Sequence, residues 1–363
     1  CQATSHDGCD EEDNERMSQK ILCFFTSDLH LEINLLYSSD SYCKDMQNKQ
    51  LIEKLRERIR NVLMPLITND YVYLDLPYHP NIGDTLIWEG TREFLKNLPY
   101  KCLYYASKDS FRYRKLSSNV IILLHGGGNF GDLYRLHSEF RKKIIKLYPE
   151  NKVIILPQTV FYEDIKLLAG DVEFYTNHPN VTICAREKYS YDFLKTHFKN
   201  KILLLPDMAF CLNIDKFNIL KDENRLLYLK RTDKELSKND AVSGIPENAE
   251  QHDWPTYERH YDEFDKVERL AYCLHKFLRM CGCRDKTLAR IEDLKRNWFY
   301  RRKYNQIGIS FLSPYHSIYT TRLHVLILGV LLGKEIYLIN NTSGKVINFY
   351  NTWLRELNTI KKL

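Results

Sequence analysis

The stretch from His125 to Asp132 reads His-Gly-Gly-Gly-Asn-Phe-Gly-Asp, and it follows directly on the apolar run from Val120 to Leu124. A short apolar run that ends in clustered glycines is typical of a buried strand leaving a sheet. Residues 132–148 then carry apolar side chains on one helical face, at Leu136, Phe140, Ile144 and Tyr148. This order of strand, glycine-rich turn and helix indicates an α/β fold.

The glycines of this stretch also suit an anion. Successive glycines have no Cβ, so backbone N–H groups can close on a phosphate or carboxylate. The N-terminus of a following helix favours negative charge as well. The spacing is neither that of the P-loop nor that of the dinucleotide fingerprint. A tight turn, in which helix and strand pack closely, is the alternative interpretation.

Short apolar segments alternate with helical patterns on both sides of this stretch, which predicts a parallel sheet covered on both faces. The predicted strands are Tyr71–Leu76, Lys101–Ala106, Asn119–Leu124, Lys152–Leu156, Val181–Ala185 and Ile202–Leu205. The alternation loosens after Asp207 and resumes between Ser317 and Leu357. We therefore expect two α/β domains with a cleft between them, the second starting near residue 207. Ligands of such sheets bind beyond the carboxyl ends of the strands.

Composition narrows the class of partner. The 363 residues carry a net charge of +6, from 53 Lys and Arg against 47 Asp and Glu, which does not favour a nucleic-acid-binding protein but tolerates anionic substrates. The 25 tyrosines suit sugars, because tyrosine rings stack on CH faces and the phenol bonds to hydroxyls. The basic cluster Lys295–Lys303 could rest on an anionic membrane surface, or it could be a solvated helix face.

The ten cysteines are scattered without a disulfide framework or a zinc spacing. Cys23, Cys102, Cys184 and Cys211 stand in apolar settings and are interpreted as small core residues of a protein in a reducing, cytoplasmic compartment. No apolar run approaches the length of a membrane span, and the run Ile21–Phe25 is too short for a signal peptide. At most, peripheral contact with the inner face of a membrane is expected.

Several charged residues follow predicted strands and are candidates for chemistry. Asp84 comes after the first strand and could cap the next helix or act as a general base. Arg186 ends the strand Val181–Ala185, and Arg231 ends another, where Asp233 or Glu235 could neutralise it. A lone arginine at such a place is often part of a structural ion pair.

Arg322 and His324 open the apolar helix Val325–Leu332. The backbone N–H groups and the dipole at a helix N-terminus favour an anionic ligand, and a cation there is unfavourable unless an anion compensates it. Two potentially cationic residues at a helix N-terminus depart from this preference, which favours a functional role for Arg322 and His324. The alternative is a buried histidine that is bonded to the backbone.

The sequence contains an ordered set of motifs, which are Asn81-Ile-Gly-Asp84, His125–Asp132, Pro157-Gln158-Thr159, Ala185-Arg186-Glu187, Pro206-Asp207-Met208-Ala209, Arg231-Thr232-Asp233-Lys234-Glu235, Thr321-Arg322-Leu323-His324, Ser343-Gly344-Lys345-Val346 and Trp353. Taken together, they resemble the polysaccharide pyruvyl transferases over about residues 70–355. The helical insert around Tyr261–Lys303 and the first fifty residues match no family motif.

The resemblance implies an α/β fold of two Rossmann-like domains that face each other across a cleft, as in B-type glycosyltransferases. We expect the chain to divide into a partly disordered extension (1–49), an N-terminal domain (50–206), a C-terminal domain with an acceptor-side insert (207–345) and a C-terminal helix (346–363). The resemblance also implies phosphoenolpyruvate as donor, a sugar acceptor, and a cyclic pyruvate ketal as product. We expect the acceptor sugar to be carried by a lipid or a growing glycan. By analogy, Arg186, Arg322 and His324 would lie at the donor site.

From this we predict a set of site residues. His324 is the candidate acid that protonates the methylene carbon of the donor, and Asp84, Asp132 and His125 are candidate bases. The donor would be bound by Arg186, Arg322, Arg231, Gly126, Gly127, Gly128 and Asn129. The acceptor would be bound by Trp254, Tyr257 and Trp298. The mechanism requires no cofactor and no metal, and phosphoenolpyruvate enters as a substrate.

Two alternatives stay open at this point. A B-type glycosyltransferase that uses a nucleotide sugar would share the fold and the anion-binding loops, but it would also need a base pocket and a carboxylate for the ribose. A catalytically inactive glycan-binding relative would bind sugar without releasing phosphate. Neither nucleic-acid binding nor a metal site is expected.

Overall fold

The computed structural model describes residues 44, 46–231, 244–339 and 344–363. The contacts divide the chain after Gln50, and the unit from Leu51 to Leu363 contains the sheets, the helices and the cavity discussed below. The predicted extension 1–49 lies almost wholly outside the described residues. So do Thr232–Glu235 and Ser343 of the sequence motifs.

The first sheet is parallel and has the strand order β2-β1-β3-β5-β6-β7, with β4 paired to β5. Its strands are β1 (Tyr71–Leu74), β2 (Cys102–Ala106), β3 (Ile121–Leu124), β4 (Gly127–Gly131), β5 (Val153–Phe161), β6 (Val181–Ala185) and β7 (Lys201–Leu204). Every residue of β1, β3 and β6 is buried. Continuous burial follows because helices cover both faces of a parallel sheet, and it explains the unbroken apolar runs in the sequence.

The helices of this half follow the alternation that the sequence predicts. They are α1 (46–63), α2 (Ile82–Leu95), α3 (Arg135–Leu147), α4 (Ile165–Thr176) and α5 (Lys188–His197). Asn81 caps α2 by accepting a hydrogen bond from the backbone N–H of Asp84, and Asp164 caps α4 in the same way. Such caps satisfy N–H groups that have no partner within the helix.

The second sheet is also parallel, in the order β12-β11-β10-β8-β9. It consists of β8 (Arg225–Leu229), β9 (Glu250–His252), β10 (Tyr315–Thr320), β11 (Glu335–Leu338) and β12 (Ile360–Lys362). Helices α10 (Leu323–Leu331) and α11 (Lys345–Trp353) accompany it. All residues of α10 except His324 are buried, which agrees with its apolar sequence.

Between β9 and β10 the chain forms the helical insert. It comprises α6 (Pro255–Glu258), α7 (Asp262–Met280), α8 (Asp285–Lys295), a π turn (Arg296–Tyr300) and α9 (Arg301–Leu312). α7 has no buried residue. It packs through Phe264, whose ring lies 4.9 Å from the rings of both Tyr300 and Tyr304.

One helix, α2, is packed tightly from two directions. A Cβ on Gly90 would lie 2.1 Å from the carbonyl oxygen of Met208, and a Cβ on Gly308 of α9 would lie 2.5 Å from Ile82. Only glycine permits such close approaches. A continuous apolar core joins residues of both sheets, including Leu123 and Ile154 with Ile318 and Leu338. The α/β class with parallel sheets is therefore confirmed, whereas the boundary near residue 207 stays a prediction.

The sequence predicts that the glycine-rich stretch is a loop that leads directly into a helix, and this prediction is wrong. Residues Gly127–Gly131 form strand β4 beside β5, and α3 begins only at Arg135. Gly127 and Gly131 have φ values of 127° and 119°, and a Cβ on Gly131 would lie 1.8 Å from the carbonyl oxygen of Phe161. The glycines are thus needed for strand pairing, and the α3 N-terminus is separated from them.

The cysteine interpretation is partly wrong. Cys184 is buried and Cys211 is half-buried, but Cys102 is exposed at the start of the outer strand β2. Cys23 lies outside the described residues. The six cysteines in the described part of the chain are all free thiols. Within the same part of the chain, none of the helices combines the length and the apolar character that a membrane span requires.

Candidate functional site

The carboxyl ends of strands from both sheets surround one cavity of about 430 Å³. Nine of the residues predicted for the site line it: Asp84, Gly128, Asn129, Arg186, Arg231, Trp254, Tyr257, Arg322 and His324. They are separated in sequence by up to 240 positions. Gly128 and Asn129 belong to strand β4, and the others stand near the end of a strand or the start of a helix. A cavity of this size is typical of a small-molecule site.

The side chain of Arg186 lies at the centre of one wall. It extends from the end of β6 and is 3% exposed. Its Nε donates to the hydroxyl of Thr159 at 2.7 Å, and its NH1 donates to Oδ2 of Asp207 at 2.9 Å. A Cβ on Gly128 would lie 3.3 Å from NH2. The guanidinium is therefore fixed on one side by protein groups and passes close to the glycine backbone on the other.

His324 joins this pair from the second sheet. Its Nε2 lies 3.4 Å from NH1 of Arg186 and 3.5 Å from Oδ2 of Asp207. Burial acts to raise the pKa of Asp207, but its hydrogen bonds and charge interactions with His324 and Arg186 outweigh burial and lower the pKa. Asp207 is thus an ionised, fully buried carboxylate that lies next to both Arg186 and His324.

The other face of the His324 ring is set by helix α2. A Cβ on Gly83 would lie 2.3 Å from Nδ1 of His324, so the backbone of the first turn of α2 passes directly against the imidazole. Residue 83 of the Asn-Ile-Gly-Asp motif must therefore be glycine for this packing, although it has no unusual φ. A helix of the first sheet fixes the position of a side chain from the second.

Arg322 is the residue immediately before α10, in an extended conformation. Its NH2 lies 2.6 and 2.7 Å from the two carboxylate oxygens of Asp253, which is 1% exposed. The guanidinium carbon lies 5.5 Å from the ring centroid of Tyr257, within the range of a cation–π contact. Asp253 therefore orients Arg322 in the way that Asp207 orients Arg186.

Asp84 faces the cavity from the first turn of α2. Its Oδ2 lies 2.8 Å from Nε2 of His79, a residue that was not predicted. Burial acts to raise the pKa of Asp84, but the hydrogen bond and the charge of His79 together with the charge of His324 lower it. The pKa of His79 is raised because Asp84 overcomes the effect of burial. Asp84 thus lies in the first turn of α2, next to the capping residue Asn81, and its carboxylate has a histidine as partner.

Behind these residues, a buried network starts at Asp75. This residue follows β1 with a φ of 66°, a left-handed conformation that is uncommon for a residue with a side chain. Its carboxylate accepts hydrogen bonds from Nδ1 of His137 at 2.7 Å and Nε of Arg141 at 2.8 Å. Arg141 in turn donates to the side-chain oxygen of Asn129 at 2.5 Å. The network positions His137 and Asn129, both of which line the cavity.

Other residues predicted for the site do not line this cavity. His125 is 2% exposed and its Nδ1 lies 2.6 Å from the hydroxyl of Tyr73. Burial lowers the pKa of His125 to about 4. Oδ2 of Asp132 accepts hydrogen bonds from the backbone N–H groups of Glu163 and Asp164, both at 2.7 Å. Gly126 and Gly127 lie behind the lining, and Trp298 is 66% exposed on the π turn.

Sequence reasoning missed several lining residues. These are His79, Asn81, Tyr134, His137, Thr321, Leu323, Lys345 and Val346. Lys345 belongs to the motif Ser-Gly-Lys-Val, so a functional interpretation of that motif would have found it. His137 carries no such signal, because only the fold brings its helix face to the end of β1.

The lining is cationic. Arg186, Arg231, Arg322 and Lys345 face a single carboxylate, Asp84. Cations that are gathered in a shielded concavity favour an anionic ligand, and planar guanidinium groups suit carboxylate and phosphate oxygens.

A metal-binding arrangement is not part of this cavity. Among the described residues, the group His260, Asp262 and Asp265 has ligand atoms within 4.8 Å of one another, and all three residues are exposed at the start of α7. None of them lines the cavity.

The basic cluster Lys295–Lys303 is not a simple cationic surface. Lys295 and Arg296 pair with Glu268 and Glu292. Arg301 is 5% exposed and pairs with Glu89, and Lys303 pairs with Glu263. These ion pairs neutralise most of the charge that the sequence displays.

Comparison with known proteins agrees with this geometry. The family model described as polysaccharide pyruvyl transferase matches residues 81–343. EpsO of Bacillus subtilis (strain 168), which is named as a pyruvyl transferase, is 34% identical over 319 residues, covering 85% of this chain and 93% of EpsO. Pyruvyl transferase 1 of Schizosaccharomyces pombe is 28% identical, covering 77% of this chain and 69% of that protein.

A solved structure supports the fold. The crystal structure of a functionally uncharacterized protein from Klebsiella pneumoniae aligns with a TM-score of 0.56 at 22% identity, covering 85% of this chain and 98% of that one. The family match includes the residues that bring Asp84, Arg186, Arg322 and His324 to one cavity. The chain belongs to the polysaccharide pyruvyl transferase family.

Proposed function

We propose that this protein transfers the enolpyruvyl group of phosphoenolpyruvate to a hexose of a glycan or glycan precursor. The product is a cyclic pyruvate ketal that bridges two hydroxyls, and inorganic phosphate is released. The observation that carries the proposal is the convergence of Arg186, Arg231, Arg322 and Lys345 on the cavity that also contains His324. Phosphoenolpyruvate has a carboxylate and a phosphate, so its site needs several cations at once.

The two buried arginines are suited to separate anionic groups. Arg186 is oriented by Asp207, and Arg322 is oriented by Asp253. Both arginines line the cavity. A fixed guanidinium loses little rotamer entropy when it binds, which favours tight and oriented binding of a small anion that carries several negative charges.

His324 is the proposed general acid. Its Nε2 is close to Asp207, which stabilises an imidazolium, and its ring is fixed against Gly83. Protonation of the methylene carbon of the donor by His324 makes C2 electrophilic, and a sugar hydroxyl then adds to C2. This route requires no cofactor, because positioned acid–base groups and electrostatic stabilisation are sufficient for it.

The atoms and protons balance. One hydroxyl oxygen forms a bond to C2, the C2–O bond to phosphate breaks, and the second hydroxyl oxygen then closes the ketal. One of the two hydroxyl protons replaces the proton that His324 gave to the methyl carbon, and the other leaves with hydrogen phosphate. Asp84, which lines the cavity as an ionised carboxylate, is the proposed base for the attacking hydroxyl.

The acceptor is proposed to enter beside Tyr257 and Trp254. Tyr257 is 44% exposed and lies under Arg322, whereas Trp254 lines the cavity but is only 2% exposed. We further propose that the two sheets belong to two Rossmann-like domains, with the cavity as the cleft between them. The arrangement would be the one found in B-type glycosyltransferases, with strand ends of both sheets facing the substrates.

The test is phosphate release from phosphoenolpyruvate with a panel of galactosides. We expect acceptor-dependent release by the wild type, and a loss of about a hundredfold or more in His324→Ala, because general acids contribute on that order. Arg231→Ala should raise the KM for phosphoenolpyruvate by about tenfold or more, as removal of a charge-assisted hydrogen bond does. Arg355→Ala, an exposed arginine outside the cavity, is the matched control.

The same panel separates the alternatives. Release from a nucleotide sugar, with no thermal shift from phosphoenolpyruvate, would assign a glycosyltransferase instead. Sugar binding without release of phosphate from any donor would assign a binding protein. Release that persists in both His324→Ala and Arg231→Ala would place the donor elsewhere.

A further inference from the structure

A second cavity of about 400 Å³ lies beside the first, between the first sheet and the helical insert. Its lining comes from the segment after β2 and from helices α7 and α8. Tyr78 lines this cavity, and the next residue, His79, lines the first. Because β2 and β1 are neighbours in the sheet, the two cavities follow each other along one edge formed by strand ends.

The charges of the second cavity differ from those of the first. Three carboxylates are matched by three arginines; they are Asp109, Asp285, Glu292, Arg112, Arg279 and Arg296. Several of these groups are already tied to the protein. Nε of Arg296 donates to Glu292 at 2.6 Å, and NH1 of Arg112 donates to two backbone carbonyls at 3.0 Å. This lining has no excess of cations and does not select an anion.

Two residues that line the cavity, Tyr78 and Ser110, bind a buried carboxylate that lies behind the lining. Tyr78 and Ser110 both donate to Oδ1 of Asp293, at 2.9 and 2.5 Å. Asp293 is 1% exposed, and its Oδ2 has no hydrogen-bond partner among the residues that the structure describes. Nε2 of His275, a lining residue, is shielded and without a partner in the same part of the chain. Buried polar atoms of this kind normally have partners.

We propose that this second cavity is a subsite for an uncharged hexose of the acceptor, one that lies further along the glycan from the hexose that is modified. Balanced carboxylates and guanidinium groups, three hydroxyls (Tyr78, Ser107 and Ser110) and the ring of Tyr78 suit the alternating hydroxyls and CH faces of a neutral sugar. The proposal rests on the proposed function of the first cavity. According to this proposal, residues of α7 and α8 in the insert select the acceptor, and Trp298 does not.

The experiment measures binding of hexose oligosaccharides of increasing length in the absence of phosphoenolpyruvate, by calorimetry or saturation-transfer NMR. We expect longer oligosaccharides to bind the wild type more tightly than methyl hexosides do. Ala289→Phe fills the cavity, and Arg279→Ala removes an exposed donor. Each substitution should weaken the binding of the longer oligosaccharides by about tenfold, or about 1.4 kcal/mol. Affinity for methyl hexosides should change little.

Lys276→Ala is the matched control, because Lys276 is exposed on the same helix and does not line the cavity. Thermal melting checks that Ala289→Phe folds, and Arg279→Ala tests the subsite independently of that variant. Unchanged affinities in both variants, or no glycan binding by the wild type, overturn the proposal. If inorganic pyrophosphate removes the affinity gain of longer oligosaccharides while leaving the binding of methyl hexosides unchanged, the second cavity binds an anion and the proposal is overturned too.

The two proposals can fail separately. If the wild type releases no phosphate from phosphoenolpyruvate but loses its length-dependent glycan affinity in Ala289→Phe and Arg279→Ala, the donor chemistry is wrong and the subsite stands. If phosphate release is normal and the KM for long and short acceptors is affected equally, the subsite is wrong and the donor chemistry stands.

Discussion

Nε2 of His324 lies 3.5 Å from Oδ2 of Asp207, although the two residues are 117 positions apart and belong to different halves of the fold. Asp207 is buried and follows the last strand of the first sheet, whereas His324 opens a helix of the second. The same carboxylate oxygen also accepts from Arg186. One buried carboxylate therefore contacts both Arg186 and His324, and the chemistry proposed for His324 depends on it.

Replacement of Asp207 by Asn should damage activity and stability together. The amide keeps the shape but removes the carboxylate that accepts from Arg186, so that among the described carboxylates only Glu187, whose Oε2 lies 3.8 Å from Nε, is left beside this buried charge. The loss of a partner of a buried charge typically costs about 3–5 kcal/mol. We expect a lower melting temperature and a large fall in kcat. Urea unfolding and steady-state phosphate release would measure the two effects. A variant with wild-type kcat would mean that Asp207 does not support the acid.

Arg322 and Asp253 should behave as a coupled pair. Arg322→Ala removes the guanidinium that lies 2.6 and 2.7 Å from the oxygens of the buried Asp253 carboxylate, so we expect a loss of about 3–5 kcal/mol in unfolding free energy. The double variant with Asp253→Asn should recover part of that stability, because no buried charge is left over. Activity should not recover, since the cavity still lacks the guanidinium.

A double-mutant cycle on unfolding free energies, together with the KM for phosphoenolpyruvate, would test this pair. Additive stability effects with no coupling would show that the 2.6 Å contact contributes nothing. Restored activity in the double variant would show that Arg322 only satisfies Asp253 and does not bind the donor.

Local patterns are sufficient to predict most of the strands, because buried parallel strands read as short apolar runs. The sequence alone predicts that a strand ends at Ala185 and that a helix begins close to Leu323. It therefore also predicts that Arg186 and Arg322 lie at the edges of the sheets. The glycine stretch is harder. Three glycines fit both an anion loop and a close strand pairing, and only the contact between Gly131 and Phe161 decides between them.

Contacts between distant segments could not be read from the sequence. Asp253 stands in a polar segment with no periodicity, yet it is buried beneath Arg322. His137 resembles any other polar residue of an amphipathic helix until the left-handed conformation of Asp75 turns a carboxylate towards it. Asp132 was a reasonable candidate base, but its side chain accepts from backbone N–H groups at the start of α4.

The pair of His79 and Asp84 should give a stability contribution that depends on pH. The pKa of His79 is raised in the folded state, so its contribution is present below about 6.5, its usual value, and is lost as pH rises through the folded value. The pKa of Asp84 is lowered, so its contribution is present above about 3.8 and is lost as pH falls. The difference between wild type and His79→Gln should therefore be largest near pH 5.

The size of this effect should be below about 1 kcal/mol, because His79 is half exposed and solvent screens the pair. Urea unfolding of both proteins at pH 5 and pH 8 would measure it. Lys188→Gln, which removes another exposed ion pair that contains no histidine, is the control. An equal difference at both pH values would mean that His79 does not titrate through this window.

Gly83→Ala should distinguish the effect of the position of His324 on activity from the effect of helix stability. In a helix, alanine is favoured over glycine by about 1 kcal/mol. A Cβ at position 83, however, would lie 2.3 Å from Nδ1 of His324, so the imidazole must move. Overpacking typically costs about 1–3 kcal/mol. We expect a small net loss of stability but at least a tenfold loss of kcat, since a misplaced acid protonates poorly.

Gly170→Ala is the matched control for this prediction. Gly170 lies inside helix α4, and a Cβ there would meet no atom within 4 Å. The substitution should raise the unfolding free energy by about 0.5–1 kcal/mol and leave phosphate release unchanged. If Gly83→Ala were to gain stability like Gly170→Ala and keep full activity, His324 would have room to move. The tight packing of α2 against its ring would then not be what positions the acid.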